Sequence, residues 1–197
     1  HICCSHGKWY KLVKWLEKKR GTEVPMYCVD VSVGYPSDLT PEEDYKVDYI
    51  VGQLSDGIDW LEKTTGRKYK DSLLCDAVWN EAKATSLWAE VCALNQAVPA
   101  PLDEKSMYSL YVMGTLMKHQ PECVAFYETL RDQVQDRVKR GIAAVPNERF
   151  RVITDTQPPW GFLKIFREME KYGVVSVGSL YTFGLIGMWG YEPDGTW

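Results

Sequence analysis

A strand–helix–strand pattern near the end of the sequence limits the possible folds more than any other feature. The segments "RFRVITDT" (149–156) and "VVSVGSLYTF" (174–183) are rich in residues that favour strands, and "QPPWGFLKIFREMEKYG" between them predicts a helix that ends at Gly173. Two strands joined by a helix pair in parallel by default, through a right-handed crossover. The pattern therefore predicts an α/β fold with a parallel sheet.

The beginning of the sequence predicts half of a second unit of this kind. Apolar residues recur at helical spacing between residues 6 and 20, at Trp9, Leu12, Val13 and Leu16. Gly21 follows at the position where a left-handed residue ends a helix. The next segment, "VPMYCVDVSV" (24–33), is rich in β-forming residues and predicts a buried strand.

The middle of the chain predicts a layer of helices. The first begins with a capping signal in which Thr40 is the N-cap, Pro41 is the first helical residue and Glu43 completes the capping box. It continues to about Lys63, before Gly66. Apolar periodicity predicts three further helices, over residues 71–95, 104–118 and 121–141.

These segments predict three domains. Residues 1–39 form the end of a first α/β domain, residues 40–145 form a helical connecting region, and residues 146–197 form the start of a second α/β domain. The sequence opens in mid-motif at His1 and stops without an obvious closing element. We therefore expect the chain to be a piece of a longer subunit.

Composition excludes several classes of function. The net charge of −4 does not favour a nucleic acid or an anionic membrane as partner. No apolar run approaches the roughly 20 residues that a membrane span needs. The six cysteines include no C-x-x-C pair, which argues against a structural zinc site or a disulfide framework and favours a reducing, cytoplasmic setting. Neither G-x-G-x-x-G nor a P-loop is present, which disfavours nucleotide hydrolysis by this chain.

Aromatic residues follow the predicted strands, where open parallel sheets bind ligands. Trp160 and Gly161 lie after the first strand of the terminal pair, and Trp189 and Tyr191 lie after the second. Glycine and proline in such segments also serve as ordinary turn residues. The aromatic side chains predict either a pocket for a flat ligand or a subunit interface.

Cys3 and Cys4 stand just before a predicted helix, and their role has two readings. A thiolate at a helix N-terminus is stabilised by the helix dipole and suits an iron–sulfur cluster. Free cysteines are also common as small buried hydrophobic residues, which is the interpretation we favour for the other four. His6 is a candidate metal ligand or proton donor.

The order of several short segments resembles one known family. These segments are "KLVKWLEKKRGTEVPMYCVD", "DWLEKTTGRKY", "WNEA", "VPAPLD", "ERFRVITDTQPPW" and "EKYGVVSV", behind a cysteine stretch. The chain resembles the benzoyl-CoA reductase and 2-hydroxyacyl-CoA dehydratase family over essentially its whole length. The aromatic segment "TFGLIGMWGYEPDGTW" favours a benzoyl-CoA reductase subunit of the B type over a dehydratase.

The resemblance implies a specific assembly. Subunits of this family have two flavodoxin-like α/β portions joined through helices, and each holds a [4Fe-4S] cluster. A related cluster-bearing subunit completes the substrate-reducing half. ATP-hydrolysing iron–sulfur activator subunits supply low-potential electrons from ferredoxin. An acyl-CoA thioester is the substrate, and a cyclohexadiene-carbonyl-CoA is the product of aromatic degradation in anaerobes.

The resemblance also assigns roles to individual residues. Cys4, with Cys3 as the alternative, corresponds to a cluster ligand, and the other ligands are expected upstream of His1 or beyond Trp197. His6 is a candidate proton donor because it lies close to Cys4 in the sequence. Two alternatives remain open, namely a 2-hydroxyacyl-CoA dehydratase subunit, which eliminates water by a radical reaction, and a metal-free α/β scaffold or binding subunit.

Overall fold

The structure is a computed structural model that describes residues 4–30, 43–155, 157–184 and 186–187, with only the backbone for residues 4–6 and 43–45. The chain divides into two compact units, residues 1–70 and residues 71–197. No helix in the described part of the chain is long and apolar enough to cross a membrane.

Among the described residues, the first unit contains two helices and the second unit contains the remaining elements. In chain order the elements are α1 (Cys4–Arg20), α2 (Glu43–Thr65), α3 (Asp71–Leu94), α4 (Glu104–Leu110), α5 (Val112–Leu116), α6 (Pro121–Lys139), β1 (Phe150–Thr154), a 3-10 helix (Trp160–Phe162), α7 (Lys164–Glu170), β2 (Val174–Ser179) and α8 (Leu180–Gly184).

Glycines end the two helices of the first unit, as the sequence predicts. Gly21 follows α1 with a φ of 65°, and Gly66 follows α2 with a φ of 69°. Such angles are freely available only to glycine, so both positions suit a helix end. Thr40 and Pro41 of the predicted capping box lie outside the described residues, and the side chain of Glu43 does as well.

The predicted strand over residues 24–33 is wrong for the part that the structure describes. Residues 22–30 have no regular secondary structure. The polar groups of this segment instead bind α2. Gln53 accepts a hydrogen bond from the Asp30 amide at 2.8 Å and donates one to the Asp30 carbonyl at 2.7 Å. Tyr27 donates to the Gln53 carbonyl at 2.7 Å. Contact with a helix thus replaces strand pairing here.

The predicted α/β class is confirmed in the second unit. β1 and β2 form a parallel two-stranded sheet in which Phe150 pairs with Val174 and Val152 with Ser176. The connection between them contains the 3-10 helix and α7, which is the predicted strand–helix–strand order. The second strand is shorter than predicted, however, because residues 180–184 form helix α8.

A reciprocal pair of hydrogen bonds ends β2 and starts α8. The Ser179 amide donates to Thr182 Oγ1 at 3.0 Å, and the Thr182 amide donates to Ser179 Oγ at 3.1 Å. This arrangement satisfies amides that a helix start leaves unpaired, as in a capping box. The strand-forming residues after Ser179 therefore turn into a helix.

Helices α3 and α6 pack together to form the main core of the second unit. Trp88 on α3 and Tyr127 on α6 are completely buried, and their ring centroids are 5.5 Å apart. The Trp88 indole donates a hydrogen bond to the Thr182 carbonyl at 3.0 Å, which attaches α8 to this core. The helical layer therefore supports the end of β2.

Arg151 on β1 binds the end of α3. Its guanidinium donates to the carbonyls of Asn95, Gln96 and Ala97 at 2.8, 2.9 and 3.0 Å. These residues directly follow the last residue of α3, Leu94, and the helix dipole favours a cation at this end. Glu148, 3.3 Å from Arg151, also accepts a hydrogen bond from the Ala100 amide at 2.6 Å.

The predicted helix over residues 104–118 is divided at Tyr111 into α4 and α5. Gly114 of α5 lies directly against α6, and its amide donates to the Tyr127 hydroxyl at 2.8 Å. A Cβ atom at position 114 would lie 2.6 Å from that hydroxyl oxygen and 2.8 Å from Ile186 Cδ1. Only glycine fits this contact.

We expect Gly114→Ala to lower the free energy of unfolding by about 2 kcal/mol, because the added methyl group overpacks the core. Chemical denaturation of the full-length subunit measures the change. Gly52→Ala is the control, since a Cβ at that position on α2 meets no atom within 4 Å. It should be neutral or slightly stabilising. Equal effects of the two substitutions would contradict the packing argument.

Candidate ligand site at the carboxyl ends of the strands

The carboxyl end of β1 and the middle of β2 meet the N-terminus of α4. Thr154 is the last residue of β1, Ser176 lies within β2, and Glu104 is the first residue of α4. Asp103 caps this helix by accepting a hydrogen bond from the Ser106 amide at 2.6 Å. Ligands of open parallel sheets bind at this end of the strands.

Glu104 has a completely buried side chain that contacts both strands. Its carboxylate accepts hydrogen bonds from Tyr108 at 2.5 Å, from Thr154 at 2.7 and 2.6 Å, and from Ser176. No lysine, arginine or histidine among the described residues forms an ion pair with it. Hydroxyl donors alone therefore satisfy this carboxylate.

Tyr108 retains its phenolic proton in this environment. Burial raises the pKa of Tyr108 well above its ordinary value, and the neighbouring Glu104 carboxylate raises it further. The buried ring can therefore donate a hydrogen bond to Glu104 throughout the physiological pH range. Nearby Tyr111 is also held in the neutral form, because burial and its hydrogen bond with Tyr181 raise its pKa to about 12.

A cluster of aromatic rings continues outward from Tyr108. The ring of Tyr108 lies 5.6 Å from Trp160, 5.8 Å from Phe166 and 6.2 Å from Tyr181, measured between centroids. Trp160 and Tyr181 are 5.9 Å apart. These distances and their tilted or edge-on angles are typical of stabilising aromatic pairs. We call Tyr108, Trp160, Phe166 and Tyr181 the aromatic cluster.

Trp160 is the outermost member of the aromatic cluster, with 52% of its surface exposed. It begins the 3-10 helix, where Gly161 has open space on its Cα and Phe162 is 60% exposed. The rings of Tyr108 and Tyr181 contact Trp160, and about half of its surface is exposed among the described residues, where it could contact a ligand.

The structure brings together only some of the predicted site residues. Trp160 and Gly161 lie at the carboxyl end of β1, as their place in the sequence predicts. Cys4 is the first residue of α1, and His6 lies in the same helix, but neither side chain is among those described. Cys3, Trp189 and Tyr191 lie outside the described residues. The roles of all seven residues remain predictions.

Glu104 and Tyr108 were not recognised as site residues from the sequence. The segment "LDEKSMYSLY" does carry a signal, since the two residues are four positions apart and share one face of a helix. A carboxylate at a helix start, however, is most simply explained by the helix dipole. Their burial depends on Thr154 and Ser176, which lie 50 and 72 positions from Glu104 in the sequence.

Comparison with known proteins identifies the family. A family model described as "2-hydroxyglutaryl-CoA dehydratase, D-component" matches residues 1–196. The chain belongs to this family. The resemblance to benzoyl-CoA reductases and 2-hydroxyacyl-CoA dehydratases that the sequence segments indicate is thereby confirmed.

Three relatives illustrate the range of the family. The α subunit of (R)-2-hydroxyglutaryl-CoA dehydratase from Acidaminococcus fermentans is 24% identical over 190 residues, which cover 94% of this chain and 38% of the relative. The α subunit of (R)-2-hydroxyisocaproyl-CoA dehydratase from Clostridioides difficile is 21% identical over 184 residues, covering 91% and 44%. The B-type subunit of benzoyl-CoA reductase from Thauera aromatica is 25% identical over 193 residues, covering 92% and 44%. The chain thus spans less than half the length of these relatives.

The four cysteines whose side chains are described do not form a cluster site. Cys92 and Cys123 are buried in the main core, Cys28 is half-buried and Cys75 is exposed. No group of three or more histidine, cysteine or acidic side chains among the described residues is arranged to hold a metal ion.

We expect alkylation to distinguish these cysteines. Burial raises the pKa of Cys92 to about 12 and that of Cys123 to about 11, so that both remain protonated thiols at pH 8.5. The thiolate is the reactive form, and exposed Cys75 should therefore react with iodoacetamide first. Mass spectrometry of the native full-length subunit measures the order. Alkylation of Cys92 before Cys75 would contradict the described burial.

Proposed function

We propose that the chain is part of an iron–sulfur subunit of an ATP-dependent benzoyl-CoA reductase. The subunit passes low-potential electrons to the aromatic ring of a CoA thioester and yields a cyclohexadiene-carbonyl-CoA. The match of residues 1–196 to the family model is the observation that supports placing this chain among enzymes that act on CoA thioesters. The partly exposed aromatic cluster favours a planar acyl group as the ligand of this part of the subunit.

The described residues contribute binding and positioning to this reaction. Trp160 offers an exposed ring face for a planar group, while Tyr108 and Tyr181 hold that ring from behind. Apolar rings around a thioester also exclude water, which strengthens the electrostatic stabilisation of charge that develops on the carbonyl. Trp189 and Tyr191 are proposed as further pocket-lining residues, and His6 as a proton donor.

Cys4, or Cys3 in its place, is proposed as a ligand of a [4Fe-4S] cluster. Cys4 begins helix α1, where the free backbone amides and the helix dipole favour a thiolate. The cluster would supply low-potential electron transfer when bound. The proposed partners are a related cluster-bearing subunit, ATP-hydrolysing activator subunits and ferredoxin.

We expect Cys4→Ser to lower the iron and acid-labile sulfide content of the full-length subunit, purified without oxygen, and to alter its EPR signal. Cys3→Ser should do so if Cys3 is the ligand instead. Cys75→Ser is the matched control, since this exposed cysteine belongs to no metal-binding group among the described residues. Iron-free wild-type protein would refute the cluster proposal and favour a metal-free scaffold.

A 2-hydroxyacyl-CoA dehydratase is the second candidate. The observation in its favour is that the matching family model and two of the three relatives described above carry dehydratase names. Both reactions begin from a CoA thioester and need similar partners, so the fold alone does not distinguish them. They differ in the acyl group and in whether water is lost.

We expect the complete complex, with its activator and a low-potential reductant, to reduce benzoyl-CoA with a stoichiometric consumption of electrons. A dehydratase would instead convert a 2-hydroxyacyl-CoA to the enoyl-CoA with catalytic amounts of reductant. Product analysis by mass spectrometry, with both thioesters tested on the same preparation, decides between the two. Turnover of the 2-hydroxyacyl-CoA alone would replace the first proposal by the second.

A further inference from the structure

We propose that Glu104 is a positioning residue for ligand binding, which fixes Tyr108 and thereby holds Trp160 in the orientation that contacts a planar group of the acyl-CoA ligand. The inference rests on the proposed function, because it takes the aromatic cluster to be part of the thioester-binding site. It assigns a binding role to a buried carboxylate that itself lies too deep to contact the ligand.

The first step in the argument concerns the energetics of Glu104. A buried carboxylate is costly unless its oxygens are hydrogen-bonded, and here hydroxyls from α4, β1 and β2 provide the bonds. A glutamine or an apolar side chain would fill the same volume without the cost of burying a charge. Stability alone thus gives little reason for a carboxylate, whereas precise orientation of several hydroxyl groups does.

The second step is the connection from Glu104 to Tyr108. The two residues lie one helical turn apart on α4, and the phenolic hydroxyl is 2.5 Å from Glu104 Oε1. A hydrogen bond between the phenol and the carboxyl oxygen restrains both groups in distance and direction. It fixes the ring of Tyr108, which is only 5% exposed, in a single orientation.

The third step is the connection from Tyr108 to the exposed ring. Trp160 begins a three-residue 3-10 helix and is 52% exposed, so ring contacts are the packing that the structure shows for its indole. Tyr108 contacts it at 5.6 Å and Tyr181 contacts it at 5.9 Å. A shift of Tyr108 would therefore move Trp160. Glu104 therefore affects the orientation of the exposed Trp160 ring through one intermediate side chain, that of Tyr108.

The main experiment is a double-mutant cycle on the complete complex with benzoyl-CoA and a 2-hydroxyacyl-CoA. Trp160→Leu should raise KM about tenfold and Glu104→Gln about threefold, with kcat changed less than KM. In the double variant, Glu104→Gln should add nothing to Trp160→Leu, because Glu104 acts through Trp160. Additive effects, or an unchanged KM in Trp160→Leu, would overturn the inference.

Two further variants guard against a merely structural explanation. Tyr108→Phe keeps the ring but removes the hydroxyl that binds Glu104, so it should reproduce the rise in KM even if Glu104→Gln does not fold. Glu148→Gln is the matched control, because this largely buried glutamate binds Ala100 and Arg151 outside the aromatic cluster. It should lower stability and leave KM unchanged. A rise in KM in this control would overturn the inference.

A spectroscopic readout separates this inference from the proposed function. In the full-length subunit labelled with 5-fluorotryptophan, the Trp160 resonance is assigned by its loss in Trp160→Phe. We expect this 19F resonance to shift in Glu104→Gln and Tyr108→Phe, and to stay in place in Glu148→Gln. A shift in a complex that turns over no CoA thioester refutes the proposed function alone. An unshifted resonance in both variants refutes the positioning role even if the complex is active.

Discussion

The buried side chain of Glu104 connects helix α4 to both strands of the second unit. The sheet that the described residues form is one parallel pair of strands, and such a pair by itself has little intrinsic stability. Glu104 binds the end of β1 through Thr154 and β2 through Ser176, and it reaches both from a helix that precedes them in the chain. Arg151 makes the second connection, from β1 to the end of α3. The helical layer and the sheet are thus joined by polar contacts at Glu104 and Arg151.

The periodic spacing of apolar residues and the glycines at helix ends made much of the fold predictable from the sequence. Helices α1, α2, α3 and α6 follow apolar repeats, and Gly21 and Gly66 end two of them where the sequence indicates. The errors have local causes that composition does not show. Residues 24–30 resemble a strand but bind Gln53, and the strand-like residues after Ser179 become α8 because Ser179 and Thr182 cap each other. The domain boundaries after residues 39 and 145 remain a prediction.

The sequence predicted the exposed residue Trp160 of the candidate site but not the buried residue Glu104. Trp160 could be selected because it follows a strand at the ligand-binding end of a parallel sheet. Glu104 could not, because a charged residue at a helix start ordinarily faces solvent, and its burial requires partners far away in the sequence. A buried site residue such as Glu104 therefore cannot be identified from the sequence alone, because its partners come together only in the folded chain.

The burial of the described cysteines affects which of them are oxidised first when the protein is exposed to air. Cys92 and Cys123 lie in the packed interior as neutral thiols, whereas Cys75 faces solvent on α3. Oxidants attack exposed thiolates first, and the sulfenic and sulfinic products would accumulate at the surface while the interior remains reduced. A measurement that reports only the fold would therefore not show whether the exposed cysteine has been oxidised.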